Sequence, residues 1–124
     1  MSGLCLAAGL LGAVIQVQAF TLAWMHSVEK IRWEEDWQLH GDRLHLVEAR
    51  IRGSGAGMEP PAQARLVDGV WHYRPDLAPL ARLRLAHSPY TAGYEICFAG
   101  SCRPLADHLP GLEAETVITL SACA

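Results

Sequence analysis

The sequence has no basic run and little net charge. Its 124 residues carry 10 Lys and Arg against 13 Asp and Glu, which gives a formal charge of −3. Nucleic-acid binders cluster positive charge to neutralise phosphates, so DNA and RNA are excluded as expected partners. The hydrophobic fraction of 51% is that of a folded chain, and the length predicts a single domain over residues 1–124.

Known catalytic and metal-binding spacings are also missing. The chain contains no CxxC, HExxH, GxSxG or P-loop pattern, and its six histidines show no ligand spacing. His26 and Ser27 are adjacent, but neighbours in a strand point to opposite faces and so do not form a catalytic dyad. The sequence therefore indicates no catalytic residue, metal or cofactor, and it favours a non-enzymatic protein.

The apolar N-terminal segment lacks positive charge, since no Lys or Arg precedes Lys30. It has neither the basic start of a secretory signal nor the roughly 20 apolar residues of a membrane span. Alternation over residues 4–8 predicts a hairpin, whereas the small-x-small pattern at residues 17–19 is typical of a degenerate signal or anchor. Both interpretations of residues 1–19 stay open, and a periplasmic or membrane-associated location is favoured over a cytoplasmic one.

From Phe20 onward, apolar residues recur mostly with a period of two, as in half-buried strands. Turn signals such as HGDR at residues 40–43 separate these runs. The pattern predicts an all-β fold with little helix. We expect a small antiparallel β-sandwich or partly open barrel of about seven to nine strands.

A turn centred on Gly41-Asp42 fixes a strand register. Regular pairing around it predicts four opposed pairs: Leu39 with Leu44, Trp37 with Leu46, Glu35 with Glu48, and Trp33 with Arg50.

The predicted Glu35–Glu48 pair needs neutralisation because two opposed carboxylates repel each other. Arg50, Arg32 and Lys30 are the nearest cations along the chain, so Glu35 and Arg50 are expected to take structural roles in a salt-bridge network. The alternative is a ligand cation or a protonated Glu with a function. In either case Glu34 lies on the opposite face of the strand from Glu35.

Two other segments carry geometric signals. Cys97 and Cys102 flank Ala99-Gly100 symmetrically, which predicts a two-residue hairpin and a disulfide across it. Cys5 and Cys123 form a second bridge if the terminal strands are neighbours, and bridges favour an oxidising compartment. The glycine-rich residues 53–61 are either an anion-binding loop or a plain loop.

The segments HSVEKIRWEEDW, VEARIRGSGAGMEPP, DGVWHYRP and CFAGSCRPL resemble a small bacterial family named only as a domain of unknown function. The resemblance covers roughly residues 4 to 105. Genes of this family commonly lie beside TRAP-type transporters of the fused-permease kind, which work with TAXI-class periplasmic solute-binding proteins. Some relatives carry a membrane anchor ahead of the domain. The resemblance thus implies a TRAP permease or a TAXI protein as partner.

The family-like positions and the predicted register together suggest a ligand site. Its expected members are His26, Ser27, Glu34, Glu48, Gly55, Gly57 and Met58. We expect a small organic acid or amino acid there, bound by an accessory component of a TRAP-TAXI transporter. The alternatives are a small enzyme acting on the transported solute and a purely structural partner of the permease.

Overall fold

The computed structural model describes residues 3–25, 31–52 and 63–123. Within these ranges the regular secondary structure consists of β-strands and one short 3₁₀ helix. The elements are β1 (Gly3–Ala8), β2 (Leu11–Ile15), β3 (Ala19–Met25), β4 (Arg32–His40), β5 (Arg43–Arg52), β6 (Arg65–Val67), β7 (Val70–Tyr73), β8 (Leu83–His87), β9 (Glu95–Phe98), β10 (Ser101–Pro104), η1 (Leu105–His108) and β11 (Thr116–Cys123).

These strands form two antiparallel sheets. The smaller sheet has the order β2-β1-β11-β8, and the larger has the order β10-β9-β3-β4-β5-β7-β6. The predicted all-β class is confirmed, and the sheets do not close into a barrel. The described ranges contain eleven strands, more than the expected seven to nine, because the N-terminal segment adds the β1–β2 hairpin and short strands flank the turns.

The inner faces of the two sheets share one hydrophobic core. Leu4, Leu6 and Leu120 of the small sheet are at most 2% exposed, as are Leu22 and Trp37 of the large sheet. Full burial of each such side chain stabilises the fold by about 1.5–3 kcal/mol. The alternation predicted from Phe20 onward is what places these residues on one face of each strand.

The hairpin of β9 and β10 has the predicted register, with Cys97 opposite Cys102. Its turn residues, Ala99 and Gly100, both have positive φ, as a two-residue hairpin loop of type I′ requires. A disulfide joins Cys97 to Cys102, and a second joins Cys5 on β1 to Cys123 on β11. In the part of the chain that the structure describes, no helix is long and apolar enough to span a membrane.

Candidate functional site

The outer face of the large sheet carries a row of charged side chains across six strands. Antiparallel pairing brings residues from different strands into one transverse line. The line runs through Glu95, Ala23, Glu34, Arg50, His72 and Arg65.

Arg50 lies at the centre of this row and binds three carboxylates. Its Nη1 and Nη2 donate to the two oxygens of Asp36 at 2.6 and 2.7 Å, and its Nε donates to Glu34 at 3.0 Å. Nη1 also lies 3.3 Å from Glu48. The hydrogen bonds to Asp36 are the largest cause that raises the pKa of Arg50. The same guanidinium, together with the Thr21 hydroxyl, holds the pKa of Asp36 below its usual value.

Glu34 is the buried charged residue of the cluster, with only 8% of its surface exposed. Burial by itself raises the pKa of this carboxyl, but hydrogen bonds from Arg32, Arg50 and Arg52 outweigh it and lower the pKa to about 2. The contact distances are 2.9 Å from Arg32, 3.0 Å from Arg50 and 3.1 Å from Arg52. Three cations around one carboxylate leave Glu34 ionised at neutral pH.

The two ends of the cluster reach neighbouring strands. On one side, Arg32 bridges from Glu34 to Glu95 on β9 at 2.8 Å. On the other, His72 on β7 lies 2.8 Å from Glu48, and this hydrogen bond is the largest cause that lowers the pKa of Glu48. We call Arg32, Glu34, Asp36, Glu48, Arg50, Arg52, His72 and Glu95 the charged ladder.

The predicted register is correct only next to the turn. Leu39 faces Leu44 and Trp37 faces Leu46, but a β-bulge between Asp36 and Trp37 shifts all later pairs. The predicted pairs Glu35–Glu48 and Trp33–Arg50 are therefore wrong. The extra residue, Val47, has no opposite partner, and after it the strand presents the other set of side chains to the core.

Because of the bulge, Glu48 lies opposite Asp36 and Arg50 lies opposite Glu34. Glu48 thus leaves the inner face and joins the ladder, whereas Glu35 stays inward opposite Ala49. Burial raises the pKa of Glu35, and a 3.3 Å hydrogen bond from Trp37 Nε1 partly offsets the rise. A salt-bridge network around Arg50 is therefore present, but the carboxylate of Asp36, and not that of Glu35, takes part in it.

Two cavities open on the charged face. The first, of about 430 Å³, lies over the bulge and is lined by Thr21, Asp36, Val47, Arg50 and Phe98, among others. The second, of about 330 Å³, lies at the β6–β7 end and is lined by Glu48, Gln63, Arg65, His72, Tyr73 and Arg74.

The second cavity differs from the first in its positive charge. Arg65 and Arg74 are exposed and take part in no ion pair within the described ranges, whereas the guanidinium of Arg50 is saturated by carboxylates. Glu48 already contacts both His72 and Arg50. The cavity therefore offers two arginines as donors to an anion.

Only part of the predicted ligand site can be placed. Glu34 and Glu48 both lie in the ladder, and Glu48 also lines the second cavity. His26, Ser27, Gly55, Gly57 and Met58 lie outside the described residues. No group of three or more His, Cys, Asp or Glu side chains suited to a metal ion occurs in residues 3–25, 31–52 and 63–123.

The sequence argument missed Asp36, His72, Arg65 and Arg74. One signal for Asp36 was present: in LHLVEARI the apolar positions change from even numbers, Leu44 and Leu46, to odd ones, Ala49 and Ile51. Such a change of parity marks a bulge. No comparable pattern marks Arg65 and Arg74, since their proximity depends on the β6–β7 pairing and on the path of the chain after β7.

The fold and the charged ladder together define a two-sheet β-protein whose large sheet carries ion pairs between neighbouring strands on its outer face. The chain belongs to the family described as a domain of unknown function (DUF1850), whose model matches residues 20–105. This range runs from the second residue of β3 through β10 and includes every residue of the ladder. Searches of curated proteins and of solved structures find no significant match to the chain.

Proposed function

We propose that the chain is a non-enzymatic binding component that holds a small carboxylate-bearing ligand in the β6–β7 cavity. The observation that carries the proposal is the pair of exposed arginines, Arg65 and Arg74, around a cavity of about 330 Å³. Guanidinium groups bind carboxylates through paired, charge-assisted hydrogen bonds. The ladder behind the cavity holds β5 and β7 together and positions Glu48 and His72 at its wall.

The ionisation of the ladder supports binding over catalysis. A general acid or base works best with a pKa near the working pH. The pKa values of Glu34, Asp36 and Glu48 are all lowered, and that of Arg50 is raised. The pKa values of Glu34 and Glu35 do shift in opposite directions, but the two carboxyl groups lie on opposite faces of β4. This distribution gives the enzyme alternative no support.

The ligand we favour is an organic acid or an amino acid. Arg65 and Arg74 would bind the carboxylate of either class. Glu48, on the wall of the same cavity, would accept hydrogen bonds from the ammonium of an amino acid. The comparison of a dicarboxylic acid with an amino acid of similar size therefore tests whether Glu48 takes part.

As its context we propose an accessory role beside a TRAP permease and a TAXI solute-binding protein. The support is the family resemblance in the segments quoted above. Two disulfides in one small chain are also typical of oxidising compartments such as the periplasm. Co-purification of the tagged chain with the permease or the TAXI protein from membranes would test this part separately.

Thermal unfolding with a panel of organic acids and amino acids tests the binding site. A ligand that binds only the folded state raises the melting temperature by mass action. We expect Arg65→Gln and Arg74→Gln to remove the shift. Arg84→Gln is the matched control, because Arg84 is an exposed arginine on β8 of the other sheet. A panel without any shift, or a shift that persists in both cavity variants, would refute the site.

A further inference from the structure

The two sheets have four edge strands, and three of them carry charge or proline. Arg103 and Pro104 lie on β10, Arg65 lies on β6, and Arg84 lies on β8. Charged side chains and proline on an edge oppose pairing with another strand. The fourth edge, β2, has the sequence LGAVI and carries neither. This edge is therefore the least protected against strand addition.

The register of the β1–β2 hairpin shows which backbone groups of β2 are available. Ala8 and Leu11 close a two-residue loop as a hydrogen-bonded pair. The next hydrogen-bonded pairs along the hairpin are Leu6–Ala13 and Leu4–Ile15. In such a hairpin the closing pair is hydrogen-bonded and the pairs alternate. The N–H and C=O groups of Gly12 and Val14 consequently point away from β1.

The side chains around these groups are exposed and uncharged. Val14 is 57% exposed and Leu10 is fully exposed at the adjoining turn. Gly12 is exposed as well, and a Cβ added to it would contact only the Leu6 carbonyl of the neighbouring strand. No strand in the described part of the chain pairs with this edge of the small sheet.

We propose that β2 pairs antiparallel with β2 of a second copy of this chain, about a two-fold axis at Ala13. In that register Gly12 of each copy lies opposite Val14 of the other, so the outward N–H and C=O groups form four reciprocal hydrogen bonds. The two small sheets become one continuous sheet of eight strands.

The side chains fit this self-pairing. Ala13 meets its own copy at the axis, where cross-strand side chains approach most closely and a small residue is accommodated. Leu11 lies opposite Ile15 on the core side of the sheet, so two apolar side chains meet. No like charges oppose one another across the axis. Each of the other three edges carries an arginine, and a charged side chain on an edge strand opposes such self-pairing.

The interface is small, since it joins strands of five residues. We therefore expect a reversible dimer of the weak class, whose association is seen between about 10 µM and about 1 mM. The proposal is independent of the β6–β7 cavity, because that cavity lies on the other sheet.

Sedimentation equilibrium across this range, with the oxidised full chain, tests the proposal. We expect the average mass to rise toward that of a dimer. Val14→Lys places a charge on the edge and should raise the dissociation constant at least about tenfold. The matched control is Val117→Lys, which alters a valine of similar exposure, 49%, on the interior strand β11. This control should dimerise like the parent chain.

Amide hydrogen exchange of the parent chain gives a readout that does not depend on a variant folding. The N–H groups of Gly12 and Val14 should become protected as the concentration rises, while those in β10 should not change. A chain that is monomeric throughout the range would overturn the proposal. So would a dimer that forms without protection at Gly12 and Val14, or one that Val14→Lys leaves intact.

Discussion

Glu34 and Glu35 are neighbours in the chain but have opposite surroundings. Glu34 points to the outer face of β4 among three arginines, whereas Glu35 points inward and accepts a hydrogen bond from Trp37. The same charge thus stabilises the fold at one position and destabilises it at the next.

Glu34→Gln should lower the free energy of unfolding by about 2–3 kcal/mol at pH 7, because it leaves the guanidinium groups of Arg32, Arg50 and Arg52 without their shared carboxylate. The pKa of Glu34 falls from 4.5 to about 2 on folding. Its contribution is therefore complete above pH 4.5 and declines as the pH falls toward 2. Urea unfolding between pH 2 and pH 7 measures this contribution. The difference in unfolding free energy between the variant and the parent chain should shrink as the pH falls from 4.5 toward 2.

Glu35→Gln should instead raise the free energy of unfolding at pH 7. Burial raises the pKa of Glu35, so the folded state favours the protonated form, and ionisation destabilises the fold as the pH rises through 4.5 and above. Glutamine keeps an oxygen that accepts from Trp37 Nε1 and carries no charge. We expect a gain of up to about 1 kcal/mol at pH 7 and no gain below pH 4. A loss of stability at both pH values would show that the carboxylate has an unseen partner.

At the scale of the element, the bulge in β5 decides which residues form the ladder. The sequence predicted the strands, the turn at Gly41-Asp42 and the first two pairs, because alternation and turn chemistry are local. It did not predict the rest of the register, since one unpaired residue inverts every later position. The hairpin of β9 and β10 has no bulge, and its register was predictable in full.

Deletion of Val47 should leave the pairing of β4 with β5 and the core intact. Without the extra residue, Glu48 follows Leu46 directly, so regular alternation keeps the same four apolar residues on the core face: Leu44, Leu46, Ala49 and Ile51. Val47→Ala keeps the residue count and removes only a half-buried side chain, so it should cost about 1 kcal/mol or less. Near-ultraviolet circular dichroism and urea unfolding compare the two variants, and we expect both to keep the native fold. Loss of the native near-ultraviolet signal in the deletion variant alone would show that the bulge is needed for more than the strand register.

At the scale of the whole molecule, side chains from distant parts of the chain meet through the order of the strands. Arg65 and Arg74 reach the cavity because β6 pairs with β7 and β7 with β5, and nothing in their local sequence indicates this. Likewise, Cys5 and Cys123 are adjacent because β1 pairs with β11. The sequence alone did not show whether the two terminal strands are neighbours, and the prediction of this bridge depended on it.

The two disulfides should therefore differ in their contribution to stability. The bridge between Cys5 and Cys123 spans 118 positions, and the one between Cys97 and Cys102 spans five. The loss of chain entropy in the unfolded state predicts about 5 kcal/mol for the first and about 2 kcal/mol for the second.

Paired Cys→Ala variants at each bridge, unfolded in urea under oxidising conditions, measure this difference. We expect the terminal pair to cost more, because β1 and β11 are the central strands of the small sheet and the bridge holds them together across nearly the whole chain. Strand addition at β2 depends on the same hairpin, so the terminal variant should also dimerise less than the hairpin variant. Equal losses of stability for the two pairs would contradict the chain-entropy argument and would mean that local packing dominates at both sites.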